Sequence, residues 1–158
     1  ALTNSADSYI HYMAFGNGGT SVDPTGIITY LSPNSTGTNA SLYNQTYTKV
    51  IDDNSINNTD PTRNKIETRH VSGTNYTDII ATCLLDYGEP SGQDALDNAT
   101  GSDSLYVFDE LGLVSYATSG TGRLLTHVIF HPVQKSLNRL IQIDYTVRVQ
   151  SLTGFNEA

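Results

Sequence analysis

The run of residues 140–151, LIQIDYTVRVQS, constrains the fold more than any other stretch, because its apolar and polar residues alternate strictly. The apolar side carries Ile141, Ile143, Tyr145, Val147 and Val149, and the polar side carries Gln142, Asp144, Thr146, Arg148 and Gln150. Period two predicts a half-buried β-strand with the apolar set facing the core. The preceding run, residues 124–131, is also strand-like. Together they predict a long antiparallel hairpin with Lys135 and Arg139 near its tip.

The rest of the chain predicts further short strands separated by polar loops, and a lone hairpin needs such neighbours to be stable. Strand candidates lie at residues 27–31, 42–51, 65–71, 76–85, 105–108 and 113–117, with residues 109–112 as a turn. The apolar run 76–85 predicts the centre of a sheet. With about eight strands and little helix, residues 1–158 predict a single all-β domain, an antiparallel β-sandwich or jelly-roll-like body with long polar loops.

The N-terminal residues 1–15 predict a short helix, a strand or an extended arm that packs on the body. Six large apolar side chains occur there: Leu2, Tyr9, Ile10, Tyr12, Met13 and Phe15. A terminal segment of this kind must bury such groups, either on its own domain or against a neighbouring chain.

Charge argues against two classes of partner. The 158-residue chain has a formal net charge of −8, and no Lys or Arg occurs between Arg69 and Arg123. An acidic surface repels phosphate backbones, so we expect no nucleic-acid partner. No apolar stretch approaches the roughly 20 residues of a membrane span, and the N-terminus lacks a signal-peptide pattern, so we expect no membrane partner.

No predicted metal site emerges from the histidines or the acidic residues. His127 and His131 would face the same side of a strand but lie roughly 13 Å apart, too far for one ion. His11 and His70 have no fixed relation to them. The acidic residues around loop 87–104 suit calcium by type but lack the pattern of a calcium-binding loop. They are Asp86, Glu89, Asp94, Asp97 and Asp103. We therefore expect a solvated acidic loop, no metal and no cofactor.

The sequence also predicts no catalytic site. The pairs Asp52–Asp53 and Asp109–Glu110 are adjacent in the chain, whereas a glycosidase needs carboxylates on either side of a sugar. Cys83, the one cysteine, lies in an apolar run and is predicted as core. The glycine-rich residues 16–19 lack the Gly-Lys-Ser/Thr of a phosphate-binding loop. We expect a protein that is not an enzyme.

Four sequence pieces occur in a recognisable order. They are Met13-Ala14-Phe15-Gly16-Asn17-Gly18, Phe108-Asp109-Glu110-Leu111-Gly112-Leu113, Phe130-His131-Pro132-Val133-Gln134-Lys135, and the amphipathic strand 141–149. This order resembles a pattern of small virion proteins of tailed bacteriophages. The resemblance covers roughly the first twenty and the last fifty-five residues, and the middle of the chain departs from it.

The resemblance implies a β-rich, non-enzymatic structural component of a virion, made in the host cytoplasm. We favour a capsid decoration (cement) protein on the capsid exterior that binds the major capsid protein lattice as a homo-oligomer, with a trimer favoured. The N-terminal segment would then be a candidate contact with the shell. Alternatives are a small baseplate, neck or tail-fibre-associated protein, and a carbohydrate-binding host-recognition module. The last is favoured by 10 Tyr and weakened by the absence of Trp.

Overall fold

The computed structural model describes residues 9–34, 40–90, 105–117, 122–136 and 139–151. Within these ranges the chain forms nine strands and no helix: β1 (Ile10–Gly16), β2 (Thr20–Val22), β3 (Ile28–Tyr30), β4 (Gln45–Val50), β5 (Lys65–His70), β6 (Tyr76–Leu85), β7 (Leu105–Ser115), β8 (Leu124–Ser136) and β9 (Ile141–Gln150). Accordingly, the described ranges contain no helix that could cross a membrane.

The strands form two main antiparallel sheets that pack against each other. The four-stranded sheet has the order β4-β1-β7-β8, the three-stranded sheet has the order β5-β6-β9, and β2 and β3 form a small separate hairpin. The core between the main sheets is apolar and includes Met13, Phe15, Phe108, Leu113, Ala81, Cys83 and Leu85. The predicted all-β, sandwich-like architecture is confirmed.

The N-terminal segment is part of this core as far as the structure describes it. β1 lies between β4 and β7, and Ile10, Met13, Ala14 and Phe15 are all buried. Residues 10–15 are therefore neither a helix nor an arm, because their apolar side chains pack on their own domain. Residues 1–8, which include Leu2, lie outside the described residues.

The three-stranded sheet follows the sequence prediction closely. β6 is its central strand, as its apolar run predicts, and Cys83 is fully buried there. Burial raises the pKa of the Cys83 thiol to about 12, as expected for a core residue rather than a reactive thiol. In β9, the apolar residues from Ile141 to Val147 are half-buried and the residues between them are exposed, whereas Val149 is 50% exposed.

The predicted hairpin between the last two strands is wrong. β8 pairs with β7 in the four-stranded sheet, whereas β9 pairs with β6 in the opposite sheet. Lys135 is not at a tip but buried, and its Nζ donates to the carbonyl oxygens of Asp86 and Ser136 at 3.0 and 2.8 Å. Of the two residues predicted near the tip, Arg139 is exposed. Alternation identifies the buried side of a strand but not the strand with which it pairs.

The turn predicted at residues 109–112 is also wrong. β7 runs unbroken through these residues and pairs with β1 on one side and β8 on the other. The register with β8 shifts between Phe108 and Glu110, where Asp109 of β7 lies opposite three residues of β8, 130–132. This β-bulge puts its extra residues in β8, so β7 continues without a turn and the acidic pair remains inside the sheet.

Candidate functional site: two carboxylates in a backbone cradle

The most unusual feature of the fold is a fully buried carboxylate, that of Glu110. Alternation along β7 places Glu110, Gly112 and Val114 on the face of the sheet opposite the main core. A second apolar cluster, which includes Leu42 and Val114, covers this face. The side chain of Glu110 is therefore enclosed between β7 and the segment that leads into β4.

Four donors converge on the Glu110 carboxylate. The backbone N–H groups of Gly18 and Asn44 donate to Oε2, each at 2.9 Å, and the N–H of Tyr43 donates to Oε1 at 2.9 Å. The fourth contact joins Oε1 to Nε2 of His127 at 2.7 Å. A buried carboxylate requires such compensation, because desolvation of an unpartnered charge is very costly.

The hydrogen bonds of His127 determine its tautomer. The backbone N–H of Asn34 donates to Nδ1 at 2.8 Å. Because a backbone amide can only donate, Nδ1 carries no proton, and the neutral ring donates its Nε2 proton to Glu110. The ring also packs against Tyr43, with centroids 5.6 Å apart. His127 thus connects β8 to Asn34 and to Tyr43, which lie in the two described parts of the segment 31–44.

Asp109 holds a second set of backbone donors beside the first. Its Oδ1 accepts a hydrogen bond from the N–H of Gly19 at 2.9 Å. Its Oδ2 accepts hydrogen bonds from the N–H and the Oγ1 hydroxyl of Thr20 at 3.0 and 2.5 Å. These two consecutive acidic side chains reach consecutive donors on the same segment, residues 18–20, at the point where β8 bulges away from regular pairing with β7. Asp109 thereby fixes the start of β2, and with it the β2–β3 hairpin, to the body.

Two of the donors, the N–H groups of Gly18 and Gly19, belong to the glycine-rich residues 16–19, which thus bind the protein's own carboxylates. A Cβ on Gly16 would lie 2.4 Å from the Asn44 carbonyl oxygen and 2.6 Å from Oε2 of Glu110. A Cβ on Gly18 would lie 2.8 Å from that of Tyr43. Glycine is required here because the backbone approaches the carboxylates too closely to leave room for a side chain. We call Asp109, Glu110, His127 and the backbone of residues 18–20 the carboxylate cradle.

The cradle is built to hold segments together. Both nitrogens of His127 and both oxygens of Glu110 are engaged within the protein, and both side chains are wholly enclosed. A fully satisfied buried network rigidifies and specifies one arrangement of its surroundings. Here it fixes residues 18–20, 34 and 43–44 against β7 and β8.

Sequence reasoning missed this network because it treated its parts separately. The sequence predicts Asp109 and Glu110 as turn residues, and it tests residues 16–19 only against the pattern of a phosphate-binding loop. The available signal was an acidic pair inside an otherwise apolar run, VFDELGLV, in a chain that also carries a glycine-rich donor segment. The contact spans a sequence separation of 92 residues, so spacing alone gives no indication of it.

The histidines lie apart from one another. His127 is buried but His131 is exposed, because the irregular pairing of β8 with β7 disrupts the alternation expected between them. Nδ1 of His11 lies 3.6 Å from Oδ2 of Asp52, and His70 is exposed on β5. In the part of the chain that the structure describes, no group of three or more His, Cys, Asp or Glu side chains is placed to hold a metal ion.

The acidic loop is described only at its beginning. Oε1 of Glu89 accepts the N–H of Asp86 at 2.8 Å and pairs with Nζ of Lys49 at 2.5 Å. Lys49 also donates to the Leu84 carbonyl oxygen. Glu89 is thus engaged in an ion pair at the end of β6. The remaining calcium candidates, Asp94, Asp97 and Asp103, lie outside the described residues.

No protein-family model, curated protein or solved structure matches this chain.

Proposed function

We propose that this chain is a non-enzymatic structural component of a tailed-bacteriophage virion, and specifically a capsid decoration protein. It would bind the outer surface of the major capsid protein lattice and stabilise it. One observation carries the proposal: three of the four sequence pieces that resemble the phage pattern, although far apart in the chain, meet in a single structural unit, the carboxylate cradle and its sheet, and the fourth is β9 of the other main sheet.

The contacts between these pieces are direct. Gly18 of the first piece donates to Glu110 of the second. Phe130 of the third piece packs edge-on against Phe108 of the second, with ring centroids 5.8 Å apart. Residues that form one interlocked unit are expected to recur together, because loss of any part leaves buried polar groups of the others unsatisfied. The pattern therefore has a physical reason to exist as a unit.

A surface suited to a protein partner lies next to the cradle. The β2–β3 hairpin and its flanks expose several large apolar side chains: Val22, Ile27, Tyr30, Leu31 and Tyr43. Asp109 anchors the start of this hairpin, and the N–H of Leu31 donates to the Gly19 carbonyl oxygen at 2.8 Å. A rigidly held apolar patch favours contact with another protein surface. On a lattice, modest contacts of this kind gain strength from the number of copies.

A carbohydrate-binding role is the alternative that one observation favours. A cavity of about 330 Å³ lies at the end of the three-stranded sheet and is lined in part by His70, Asn75, Tyr76 and Gln150. Sugar sites commonly combine polar side chains with an aromatic platform. Here, however, the guanidinium of Arg148 lies 3.8 Å from the centre of the Tyr76 ring and covers one of its faces. This weakens the alternative relative to the structural role.

The test is the number of copies in purified phage particles, measured by quantitative mass spectrometry with the major capsid protein as internal standard. Copies in proportion to the sites of the capsid lattice support the decoration role. A few copies per particle would indicate a baseplate, neck or tail position instead. Absence of the chain from purified particles would contradict the virion proposal altogether.

A second measurement concerns the surface itself. Purified protein should co-sediment saturably with capsids that lack it, and Tyr30→Ser should weaken this binding by removing exposed apolar area from the hairpin. The matched control is Tyr87→Ser, because Tyr87 is similarly exposed but lies at the end of β6. Equal binding of the two variants would contradict the assignment of the hairpin as the contact.

A further inference from the structure

The outer edges of the two main sheets differ in how well they resist the addition of another strand. β4 and β5 are only six residues long, and β8 contains Pro132 and shifts in register. β9 is ten residues long, contains no proline and pairs with β6 without any irregularity. Natural proteins usually protect a long, regular edge with proline, bulges or short length. β9 has none of these protections.

Half of the backbone hydrogen-bonding groups of β9 point along this edge, away from β6. The N–H of Ser151 donates to the Asn75 carbonyl oxygen at 2.7 Å, on the side of β6. Because antiparallel pairing alternates, the backbone groups of odd-numbered residues in β9 point toward β6 and those of even-numbered residues point outward. No strand within the described ranges pairs with this outer side.

We propose that β9 pairs antiparallel with β9 of a second copy of this chain, about a two-fold axis at Thr146. This pairing joins two three-stranded sheets into one continuous sheet across both copies. The outward-pointing residues 142, 144, 146, 148 and 150 would supply the hydrogen bonds. The contact is independent of the proposed virion role, and its two-fold symmetry predicts a dimer where the resemblance implies a trimer.

The side chains of the exposed face are self-complementary in this register. Asp144 of each copy lies opposite Arg148 of the other, Gln142 lies opposite Gln150, and Thr146 lies opposite its own counterpart. Directly opposed unlike charges stabilise an antiparallel pair, and like charges destabilise it. A shift of two residues in either direction would place Asp144 opposite Thr146 or Gln150 and leave the charges unmatched. Charge therefore selects one register.

Arg148 has the geometry for this additional contact. Its Nε and Nη2 donate to the two carboxylate oxygens of Asp78 at 2.8 and 3.2 Å, which leaves Nη1 for a further acceptor. The side chain is 54% exposed. Asp144 is also exposed, and one of its oxygens lies 3.3 Å from the amide nitrogen of Gln142. Neither group needs to give up its existing contacts.

The apolar face of β9 also benefits from the pairing. In the same register, Ile143 lies opposite Val149 of the second copy, and Tyr145 lies opposite Val147. Val149 continues the apolar side of the strand but is 50% exposed. A neighbouring strand would cover this side chain, and cross-strand apolar pairs are a main source of sheet stability. Pairing with a second copy would thus account for the exposure of Val149 at the end of the apolar side of β9.

Sedimentation velocity over a wide range of protein concentration tests the pairing. We expect reversible dimerisation that is weak, because a single strand pair buries less area than a typical stable dimer. The variants Asp144→Lys and Arg148→Glu each place like charges opposite one another twice. Each should weaken self-association by more than about tenfold, because like charges directly opposite one another destabilise an antiparallel pair.

An equal mixture of these two variants provides the decisive measurement. In a mixed dimer, the introduced lysine faces the introduced glutamate, and native Arg148 faces native Asp144. Dimerisation should therefore return in the mixture although each variant alone remains monomeric. The control is Glu67→Lys, which makes the same size of charge reversal on β5, at the opposite edge of the sheet, and should leave dimerisation unchanged.

A further variant covers the case in which Arg148→Glu fails to fold through loss of its pair with Asp78. Thr146→Pro removes an outward N–H at the centre of the proposed contact but none of the bonds to β6, so it should abolish dimerisation and retain a cooperative melt. The proposal is overturned if the wild-type protein stays monomeric, forms a trimer, or forms a dimer that is insensitive to both Asp144→Lys and Thr146→Pro.

Discussion

The two main sheets share one apolar core but differ in how their strands are held in register. Every strand pair of the four-stranded sheet contains a shift in register, and its outer face encloses the carboxylate cradle. The three-stranded sheet pairs without any shift, and its ion pairs Arg148–Asp78 and Lys65–Glu67 are at the surface. Regular alternation suffices to position the second sheet, whereas the first depends on specific polar contacts.

Removing the central acceptor of the cradle should have the largest effect on stability. Glu110→Ala leaves three backbone N–H groups and the Nε2 proton of His127 without their partner in a buried site. We expect a loss of about 3–5 kcal/mol in the free energy of unfolding, which chemical denaturation measures. The control Glu67→Ala, at an exposed site on β5, should change it by less than about 0.5 kcal/mol. Similar losses of stability in Glu110→Ala and Glu67→Ala would disprove that the four-stranded sheet depends on the cradle.

In the regular sheet, the corresponding test concerns the alternation itself. Ile143 packs half-buried against the core, so Ile143→Asp should lower the free energy of unfolding by about 2–3 kcal/mol by placing an unpaired charge there. The neighbouring Gln142→Asp points outward and should have little effect. Thermal melts of the two variants that coincide would show that the register of β9 is misassigned.

A smaller effect is expected from Gly112, which lies opposite His127 in the irregular sheet. A Cβ at this position would lie 2.4 Å from Cδ1 of Leu124 and 2.8 Å from the Thr126 carbonyl oxygen. Leu124 can shift but the backbone oxygen cannot do so freely, so Gly112→Ala should cost about 1–2 kcal/mol. The melting temperature provides the measurement, and an unchanged value would mean that β8 can move away from β7.

The smallest effect should come from the surface ion pair of the regular sheet, and only at acid pH. Hydrogen bonds from Arg148 hold the pKa of Asp78 below its usual value. A carboxyl group with a lowered folded-state pKa stabilises above its unfolded pKa, near 3.9, and loses this contribution as pH falls through the lower folded value. Arg148→Gln should therefore reduce the acid-side fall in melting temperature. An identical pH profile would show that the pair contributes nothing.

The contrast between the sheets also explains which sequence predictions succeed. The sequence predicts β5 and β9 from period-two alternation and β6 from its apolar run, and these signals persist where pairing is regular. In the other sheet β8 bulges opposite Asp109, and the sequence suggests a turn at residues 109–112 and a hairpin from β8 to β9 that does not form. A bulge depends on pairing with a distant strand, and no local pattern reveals that partner.

The carboxylate cradle was beyond sequence reasoning for a related reason. Its donors lie at residues 18–20, 34 and 43–44, and its acceptors lie on β7 and β8. Each residue has an ordinary local explanation, as a chain break, a loop residue or a surface acid. Only the order β4-β1-β7-β8 brings the groups together, and that order follows from burial of the whole core rather than from any short motif.

The long sequence separation within the cradle has a consequence for how the chain acquires its structure. During synthesis, β1 and the glycine-rich segment emerge before β7, which brings their acceptors 92 residues later. Contacts between residues so far apart in the sequence form slowly because a long loop must close first. The amide groups of the glycine-rich segment must therefore wait without these acceptors until β7 has been synthesised. Agents that sequester nascent chains should therefore influence the yield of the folded protein.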